Sequence, residues 1–197
     1  MTTSIQRHDL GLTWIEEGAI RRAAHALRDG DRVWLIDPFD DEVAVSAAAE
    51  LGRPAAVIQL LDRHNRDCAA IAQRLEVPLW REPVAVPDSS FTIVPVMSQR
   101  WWTERALWWA PERALIVAEA VGTAPAFAVD RRVGVHPLLR LVPPRAALGG
   151  YAPERLFVGH GAPLQSGAAG ALAQALATAR SDIPRLLLKL PSLIRGG

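Results

Sequence analysis

Chemically capable side chains are concentrated in one seven-residue stretch of this 197-residue chain. The stretch combines acids, bases, an imidazole and a thiol: Asp62, Arg63, His64, Asn65, Arg66, Asp67 and Cys68. An apolar run at 57–61 precedes it, and a pattern typical of an alanine-containing helix follows it. Side chains at the carboxyl end of a strand, just before a helix, point into the crevice where α/β folds bind their ligands. The sequence therefore predicts an active-site or binding loop here.

Acid/base catalysis is one chemistry that this loop could perform. His64 could act as a general base beside Asp62, because a neighbouring carboxylate fixes the tautomer of an imidazole. Asp67 offers a second carboxylate for the same purpose. The alternative is that His64 makes a structural hydrogen bond within the loop, and the sequence favours that interpretation.

The composition restricts the partners and the location that we expect. Half of the residues are hydrophobic and 22% are charged, which suits a packed core. A formal net charge of +1 argues against a nucleic-acid partner. A single cysteine allows no internal disulfide and predicts a reducing, cytoplasmic location. Residues 1–9 lack the apolar segment of a signal peptide, and no run approaches the roughly 18 apolar residues of a membrane span.

The elements that must position the loop alternate between strand and helix in the first half of the chain. Strands are predicted at 19–27, 32–36, 55–61 and 77–80, and helices at 42–51 and 67–75. The first two strands join through an Asp-Gly turn at 28–31, and Gly52 is predicted to end the first helix as a left-handed cap.

The second half is predicted to be richer in strands. Strands are expected at 91–96, 105–109, 114–118 and 155–158, with helices at 168–180 and 183–194. Pro191 should end the last helix by Leu190, because a proline removes a helical hydrogen bond and restricts the residue before it. We expect that helix to pack on its own domain or on a partner subunit.

The order of these elements resembles the metallo-β-lactamase superfamily over residues 13–180. A hairpin ends at Asp37, a strand and a polar loop lead into a helix, a strand pair ends near Glu119, and a late strand ends in Gly-His-Gly around His160. The resemblance implies an α/β fold, a four-layer αββα sandwich, with residues 1–197 forming a single domain.

The resemblance also implies a metal site, and this sequence departs from it. In that family the polar loop is normally His-x-His-x-Asp-His and binds zinc. Placing Asp67 on the family's aspartate puts three other residues where its histidines would stand: Arg63, Asn65 and Cys68. His160 matches the final histidine and Glu119 the metal-bridging aspartate. The intermediate histidine has no counterpart in residues 97–104.

These departures lead us to expect no metal cofactor. Arginine stays protonated and offers no lone pair to a metal. The positive charge of Arg63 or Arg66 could instead pair with Asp67 or Glu119 and replace that of the cation. The alternative is a single zinc ion. Its ligands would be Asp67, Cys68, Glu119 and His160.

Tryptophans supply the last candidate feature, since the chain has seven of them. The group at 101–102 and 108–109 is expected in the core or in a homodimer interface, which could also include the helix at 186–190. The alternative is an aromatic wall beside a small-molecule ligand. The pocket would then be formed by Asp37, Arg63, Asn65, Arg66, Trp101 and Trp102.

Three functional hypotheses follow from these observations. The first is a degenerate metallo-β-lactamase-like protein without a dinuclear metal site, serving as a small-molecule-binding or interaction protein. The second is a mononuclear zinc hydrolase that acts on an ester, a thioester or a similar bond. The third is a metal-independent acid/base enzyme that uses His64 and the neighbouring carboxylates. The sequence names no substrate for any of them.

Overall fold

The chain folds around two β-sheets that pack face to face. The computed structural model describes residues 2–18, 20–64 and 66–195, the last six of them by their backbone alone. The first sheet contains six strands in chain order, β1 to β6: Thr3–His8, Gly11–Glu16, Ala23–Asp29, Arg32–Ile36, Arg53–Gln59 and Leu79–Arg81. Strands β1 to β4 are antiparallel to their neighbours, whereas β4, β5 and β6 run parallel.

Two helices connect the parallel strands and cover the outer face of this sheet. Helix α1 (Glu42–Ala49) begins at Asp41, whose side chain accepts a hydrogen bond from the Ala44 amide at 2.9 Å and so caps the helix. Helix α2 (Cys68–Arg74) follows the candidate loop. Alanine, valine and isoleucine side chains of both helices are buried against β2 to β5 and form one of the two hydrophobic clusters.

The second sheet is built from the other half of the chain. The elements of this half of the chain are, in order, β7 (Phe91–Gln99), β8 (Trp102–Trp109), β9 (Ala114–Val117), β10 (Val121–Gly122), α3 (Pro125–Ala128), β11 (Gly134–Val135), a 3-10 helix (Pro137–Leu139), α4 (Arg145–Leu148), β12 (Arg155–Val158), α5 (Ala168–Thr178) and α6 (Ile183–Arg195). The strand order is β12-β9-β8-β7, with β12 parallel to β9, while β10 and β11 form a separate small ribbon.

The larger hydrophobic cluster lies between the two sheets and extends under α5. Trp34 and Ile36 of the first sheet contribute to it, as do Trp102 and Trp109 of the second. The layers therefore run helix, sheet, sheet, helix. This confirms the αββα sandwich, and nearly all of the predicted strands lie within a few residues of their expected positions.

Two predictions about the elements in the first half of the chain are wrong. Strand β3 begins at Ala23 rather than at 19, and the preceding hairpin of β1 and β2 was not expected. Helix α1 ends on the right-handed residue Glu50, and Gly52 has no positive φ. Gly52 is required for a different reason: a Cβ there would lie 2.5 Å from the Asp31 carbonyl oxygen.

The C-terminal helix α6 continues through Pro191 to Arg195, so the prediction that it ends by Leu190 is also wrong. It contacts α3 of the same chain. Asp182, just before the helix, forms an ion pair with Arg131 at 2.6 Å, and Lys189 pairs with Asp130. No helix in the described part of the chain is long and apolar enough to cross a membrane.

Candidate functional site

Four polar side chains follow the carboxyl ends of four strands, two in each sheet. Asp37 follows β4 and His64 follows β5, while Glu119 follows β9 and His160 follows β12. The carboxyl ends of parallel strands lie at one edge of a sheet, and in α/β folds this edge is where ligands bind. The packing of the two sheets brings the four side chains together at one end of the sandwich.

Asp37 and His64 form a buried pair. One carboxylate oxygen of Asp37 accepts a hydrogen bond from the Leu60 amide at 2.8 Å, and the other lies 2.9 Å from His64 Nδ1. Burial raises the pKa of Asp37, but the opposing effects of His64 and Arg66 are larger in sum and leave that pKa below its ordinary value. Burial, together with Arg66, lowers the pKa of His64. A neutral His64 therefore donates from Nδ1 and carries a lone pair on Nε2.

His160 presents a second lone pair to the same space. Its Nδ1 lies 3.1 Å from the Ile20 carbonyl oxygen, which can only accept, so Nδ1 carries the proton. Its Nε2 is buried and has no hydrogen-bond partner among the described residues. Burial lowers the pKa of His160 to about 4, so the imidazole is neutral at pH 7. The ring stacks on Phe127, with 5.1 Å between the ring centroids.

The glycines on either side of His160 are required by close packing. A Cβ on Gly159 would lie 2.2 Å from the Ala118 carbonyl oxygen and 3.0 Å from Cε1 of His64. Gly161 has a φ of +100°, in the region that favours glycine. The Gly-His-Gly motif thus lets β12 end close enough to His64 for the two imidazole centroids to lie 5.7 Å apart.

Glu119 completes a group of three potential metal ligands. One nitrogen from each of His64 and His160 and one oxygen of Glu119 lie within 4.8 Å of one another. Glu119 Oε1 is 3.6 Å from Nε2 of His160 and 3.9 Å from Nε2 of His136. Burial raises the pKa of Glu119, but Arg63 and the surrounding histidines outweigh burial and keep that pKa low. The carboxylate is therefore ionised at neutral pH.

Arg63 is the ion-pair partner of Glu119. Its Nη2 donates to Glu119 Oε2 at 2.8 Å, and its Nη1 donates to the Trp101 carbonyl oxygen at 2.9 Å. The guanidinium also lies 4.2 Å from the ring centroid of Trp102, a cation–π contact. The sequence predicts an ion pair of Arg63 or Arg66 with Asp67 or Glu119, and the contact between Arg63 and Glu119 is such a pair.

Arg66 makes a different set of contacts, all of them inside the site. Its Nη1 donates to the carbonyl oxygens of Ala23 and Asp37, each at 2.7 Å, and its Nη2 donates to that of Gly159 at 3.2 Å. The same Nη2 lies 3.5 Å from His64 Nε2. One guanidinium thus joins the two sheets and supplies a donor to the lone pair of His64.

Other residues of the loop point away from this group. Asp62 Oδ2 accepts a hydrogen bond from the Thr103 amide at 2.9 Å and so fastens the loop to β8. Asp67 is exposed and accepts from the Asp40 amide at 2.8 Å. Cys68 is buried beneath α2, and burial raises the pKa of its thiol to about 12. The structure therefore does not bring Asp67 and Cys68 to Glu119 and His160. Asn65 lies outside the described residues.

The tryptophans divide between the core and the surface. Trp102 and Trp109 are buried, and Trp108 is half-buried against Tyr151, with 5.2 Å between their ring centroids. Trp101 is 57% exposed. Of the four rings considered in the sequence, one remains available to a ligand or a second subunit, so the homodimer stays a prediction.

Two residues of the site were not predicted, Glu104 and His136. Glu104 is fully buried and accepts hydrogen bonds from the amides of Glu119 and Ala120 and from Trp102 Nε1, at 2.8, 2.9 and 2.7 Å. Burial raises its pKa to about 7. It holds the turn that carries Glu119. Glu104 alternates with Trp102 and Ala106 on the buried face of β8, and this spacing was a signal that could have revealed it had the strand been extended back to 102.

A dinuclear metal centre does not fit these residues. Among the described side chains, His64, Glu119 and His160 are the one group of three or more metal-ligating residues. Two guanidinium groups stand beside them, at 2.8 Å from Glu119 and 3.5 Å from His64. The donor set of two imidazoles and one carboxylate does fit a single divalent metal ion.

Comparisons with known proteins identify the fold. No protein-family model matches the chain, and no curated protein matches it in sequence. Solved structures do match: a metallo-β-lactamase from Erythrobacter litoralis has a TM-score of 0.61 at 10% identity, covering 91% of this chain and 92% of that one. One from Hirschia baltica has a TM-score of 0.60 at 11% identity, covering 91% and 98%.

A redox enzyme shares the same architecture. Rubredoxin oxygen:oxidoreductase from Desulfovibrio gigas matches with a TM-score of 0.60 at 13% identity, over 92% of this chain and 62% of that one. The chain therefore has the metallo-β-lactamase fold, as the resemblance in the sequence implied. At these identities the likeness describes the fold alone.

Proposed function

We propose that this chain is a metallo-β-lactamase-fold protein without a dinuclear metal centre, and that it binds a small molecule at the edge where the four strands end. The observation that carries the proposal is the ion pair between Arg63 and Glu119, at 2.8 Å. By the resemblance in the sequence, Arg63 takes the position of a metal-binding histidine. Binding, rather than metal-dependent hydrolysis, is the function that this arrangement favours.

The charges of the site support the same proposal. Two carboxylates, Asp37 and Glu119, are matched by two guanidinium groups, Arg63 and Arg66. The pKa values of His64 and His160 are lowered by burial, so both imidazoles are neutral. These four charges balance without a cation, and Glu104, whose pKa burial raises to about 7, adds a partly ionised carboxylate. Adding a divalent ion would place two more positive charges within a few ångströms of fixed guanidinium groups, which is unfavourable at low dielectric.

Metal analysis of the intact protein tests the proposal. Protein purified without added zinc or chelator should contain far less than one equivalent of any transition metal, and chelator should leave its melting temperature unchanged. Near-stoichiometric metal, together with a fall in melting temperature on chelation, would contradict it. Protein refolded with and without zinc provides a control for metal that is lost during purification.

A second candidate function is supported by one specific observation. Three lone-pair-bearing atoms, on His64, Glu119 and His160, converge within 4.8 Å, and Nε2 of His160 is buried without a hydrogen-bond partner in the described part of the chain. These three residues would hold a single zinc ion, with Asp37 orienting His64 from behind. A zinc ion bound there would supply a polarised water for ester or thioester hydrolysis.

Zinc titration of the intact protein separates the two candidates. The mononuclear hydrolase requires submicromolar zinc affinity that is lost in His160→Ala and retained in His8→Ala, a histidine outside the group. The binding protein requires weak zinc binding, with no difference between the two variants.

A further inference from the structure

An apolar groove adjoins the candidate site. It has a volume of about 840 Å³ and lies between the end of the β7–β8 hairpin and the segment 138–147. No charged side chain is among the described residues that line it, and Gln99 is its one polar side chain. Small-molecule sites commonly have volumes of about 300–1,000 Å³ and predominantly apolar walls.

One wall of the groove follows the end of β7. Pro95, Val96, Met97 and Gln99 line it, with a β-bulge between Pro95 and Met97. At about 3.3 Å per residue this wall is up to about 13 Å long, and Trp101 extends it beyond the strand. An extended hydrocarbon chain fits such a shape better than a compact or planar molecule does.

The opposite wall leaves large apolar side chains open to solvent. Leu138, Leu141 and Val142 are 72%, 67% and 75% exposed, and they face the same groove as Trp101. Contiguous exposed apolar surface of this kind commonly marks a binding site, whereas single exposed leucines are normal. The described residues provide nothing that covers this surface.

Positive charge lies at the Trp101 end of the groove. Arg63, whose side chain is 43% exposed, donates to the Trp101 carbonyl oxygen and uses two of its five N–H groups in its two hydrogen bonds to described residues. Arg100 is exposed in the turn between Gln99 and Trp101. At its other side the groove reaches Leu138, two residues after His136 of the site.

We propose that this groove binds the hydrocarbon chain of a medium- or long-chain carboxylate, with the carboxylate group at the Trp101 end beside Arg63 and Arg100. The proposal rests on the proposed binding function and names its ligand class. Apolar walls select the chain, while guanidinium groups select an anionic head over a neutral or cationic one. The head group lies at the entrance to the space around Glu119.

Calorimetric titration of the full chain with dodecanoate tests this proposal, with dodecyltrimethylammonium as a probe of equal chain length and opposite charge. Dodecanoate should bind saturably and at least tenfold more tightly than the cation. Leu138→Glu should weaken dodecanoate binding at least tenfold. Leu188→Glu is the matched control, because Leu188 is also highly exposed but lies outside the groove. Arg100→Glu should remove most of the preference for the anion.

Three outcomes would overturn the proposal. The first is the absence of saturable dodecanoate binding, and the second is equal weakening by Leu138→Glu and Leu188→Glu. The third is a dimer in light scattering that Leu138→Glu dissociates and that excludes dodecanoate, since the groove would then be covered by a second copy. The metal content of the same preparation reports separately on the proposed function. If the protein is metal-free and does not bind dodecanoate, only the proposed ligand class is refuted. If the purified protein contains stoichiometric zinc, the proposed metal-free function is refuted, whatever the result of the dodecanoate titration.

Discussion

Two histidine clusters lie beside the end of β12, one around Val158 and the other around His160, and they arrange their donors and acceptors differently. The relay cluster consists of His8, Thr13 and His25. His25 Nε2 donates to the Val158 carbonyl oxygen at 3.1 Å, so its Nδ1 accepts from the Thr13 hydroxyl at 2.9 Å. Thr13 in turn accepts from His8 Nε2 at 3.2 Å. Donors and acceptors alternate along these three contacts.

The site cluster, His64, Glu119 and His160, accumulates acceptors instead. Its three converging atoms all carry lone pairs, and the donors come from outside the cluster, on Arg63 and Arg66. Residue type alone does not separate the two clusters, and neither does complete pairing, because His8 Nδ1 in the relay cluster is buried without a hydrogen-bond partner just as His160 Nε2 is. What distinguishes the site cluster is that three lone-pair atoms converge within 4.8 Å, and such a group requires an added charge or ligand.

The largest effect on stability is expected from removing the guanidinium of Arg66, which the site cluster depends on. Arg66→Met would remove one donor from each of three backbone carbonyl oxygens, of which that of Gly159 keeps the Ala23 amide as a donor. It would also leave Asp37 without a nearby positive charge. Breaking a buried charged network in this way costs about 3–5 kcal/mol in unfolding free energy. Urea unfolding at pH 7 measures the loss.

Arg74→Met is the matched control for that substitution. Arg74 pairs with Asp40 at 2.9 Å, but both side chains are largely exposed, and exposed ion pairs contribute about 0–1 kcal/mol. Equal losses for the two variants would mean that Arg66 is a surface residue in solution, and that the site cluster does not rely on it.

Both clusters should lose stability as the pH falls, because burial keeps a histidine neutral in each of them. Burial lowers the pKa of His25 to about 3, whereas an unfolded histidine titrates near 6.5. Its contribution to stability is complete above pH 6.5 and is lost as the pH falls towards 3, because the unfolded chain binds the proton first. At about 1.4 kcal/mol per pH unit, the loss reaches roughly 2 kcal/mol at pH 5.

Comparison with His25→Gln isolates this effect. The unfolding free energy of the variant should be lower at pH 7, but the gap to the unsubstituted protein should narrow by about 2 kcal/mol between pH 6.5 and 5. His160→Gln makes the corresponding test of the site cluster, since burial lowers the pKa of His160 to about 4. Gaps that stay constant over this range would show that neither histidine is held neutral by the fold.

Much of the fold could be predicted because local patterns and the order of elements agreed with it. The strands around Asp37 and His160 and the helix at 168–178 were recognisable from apolar runs, turns and alanine content. The hairpin of β1 and β2 was missed because β1 is largely polar and exposed on its edge. The predicted helix α6 is too short because Pro191 removes one helical hydrogen bond without ending the helix.

The site was harder to predict, because its contacts join residues far apart in the chain. The Arg63–Glu119 pair could be expected from charge alone, whereas the orientation of the loop could not. Helix α2 begins at Cys68, and its inward face takes Cys68 into the core behind the first sheet. With Cys68 in the core, the loop turns His64 into the site, although the family's motif places His64 on a variable position. Asp37, rather than Asp62, orients its imidazole.

The smallest change in stability is expected from a substitution of Arg63. The side chain of Arg63 is 43% exposed, so Arg63→Met should cost less than about 1 kcal/mol. Its effect on the site should be larger, because Glu119 loses its ion-pair partner and one of the two guanidinium charges beside the converging acceptors is removed. Zinc should then bind at least tenfold more tightly than to the unsubstituted protein in calorimetric titration. Arg63→Lys keeps the charge and should show little gain, and His25→Gln, which alters only the relay cluster, should show none. If Arg63→Met binds zinc no better than the unsubstituted protein, Arg63 is not the group that opposes zinc binding. Arg66, which donates to His64, would then be the group that opposes it.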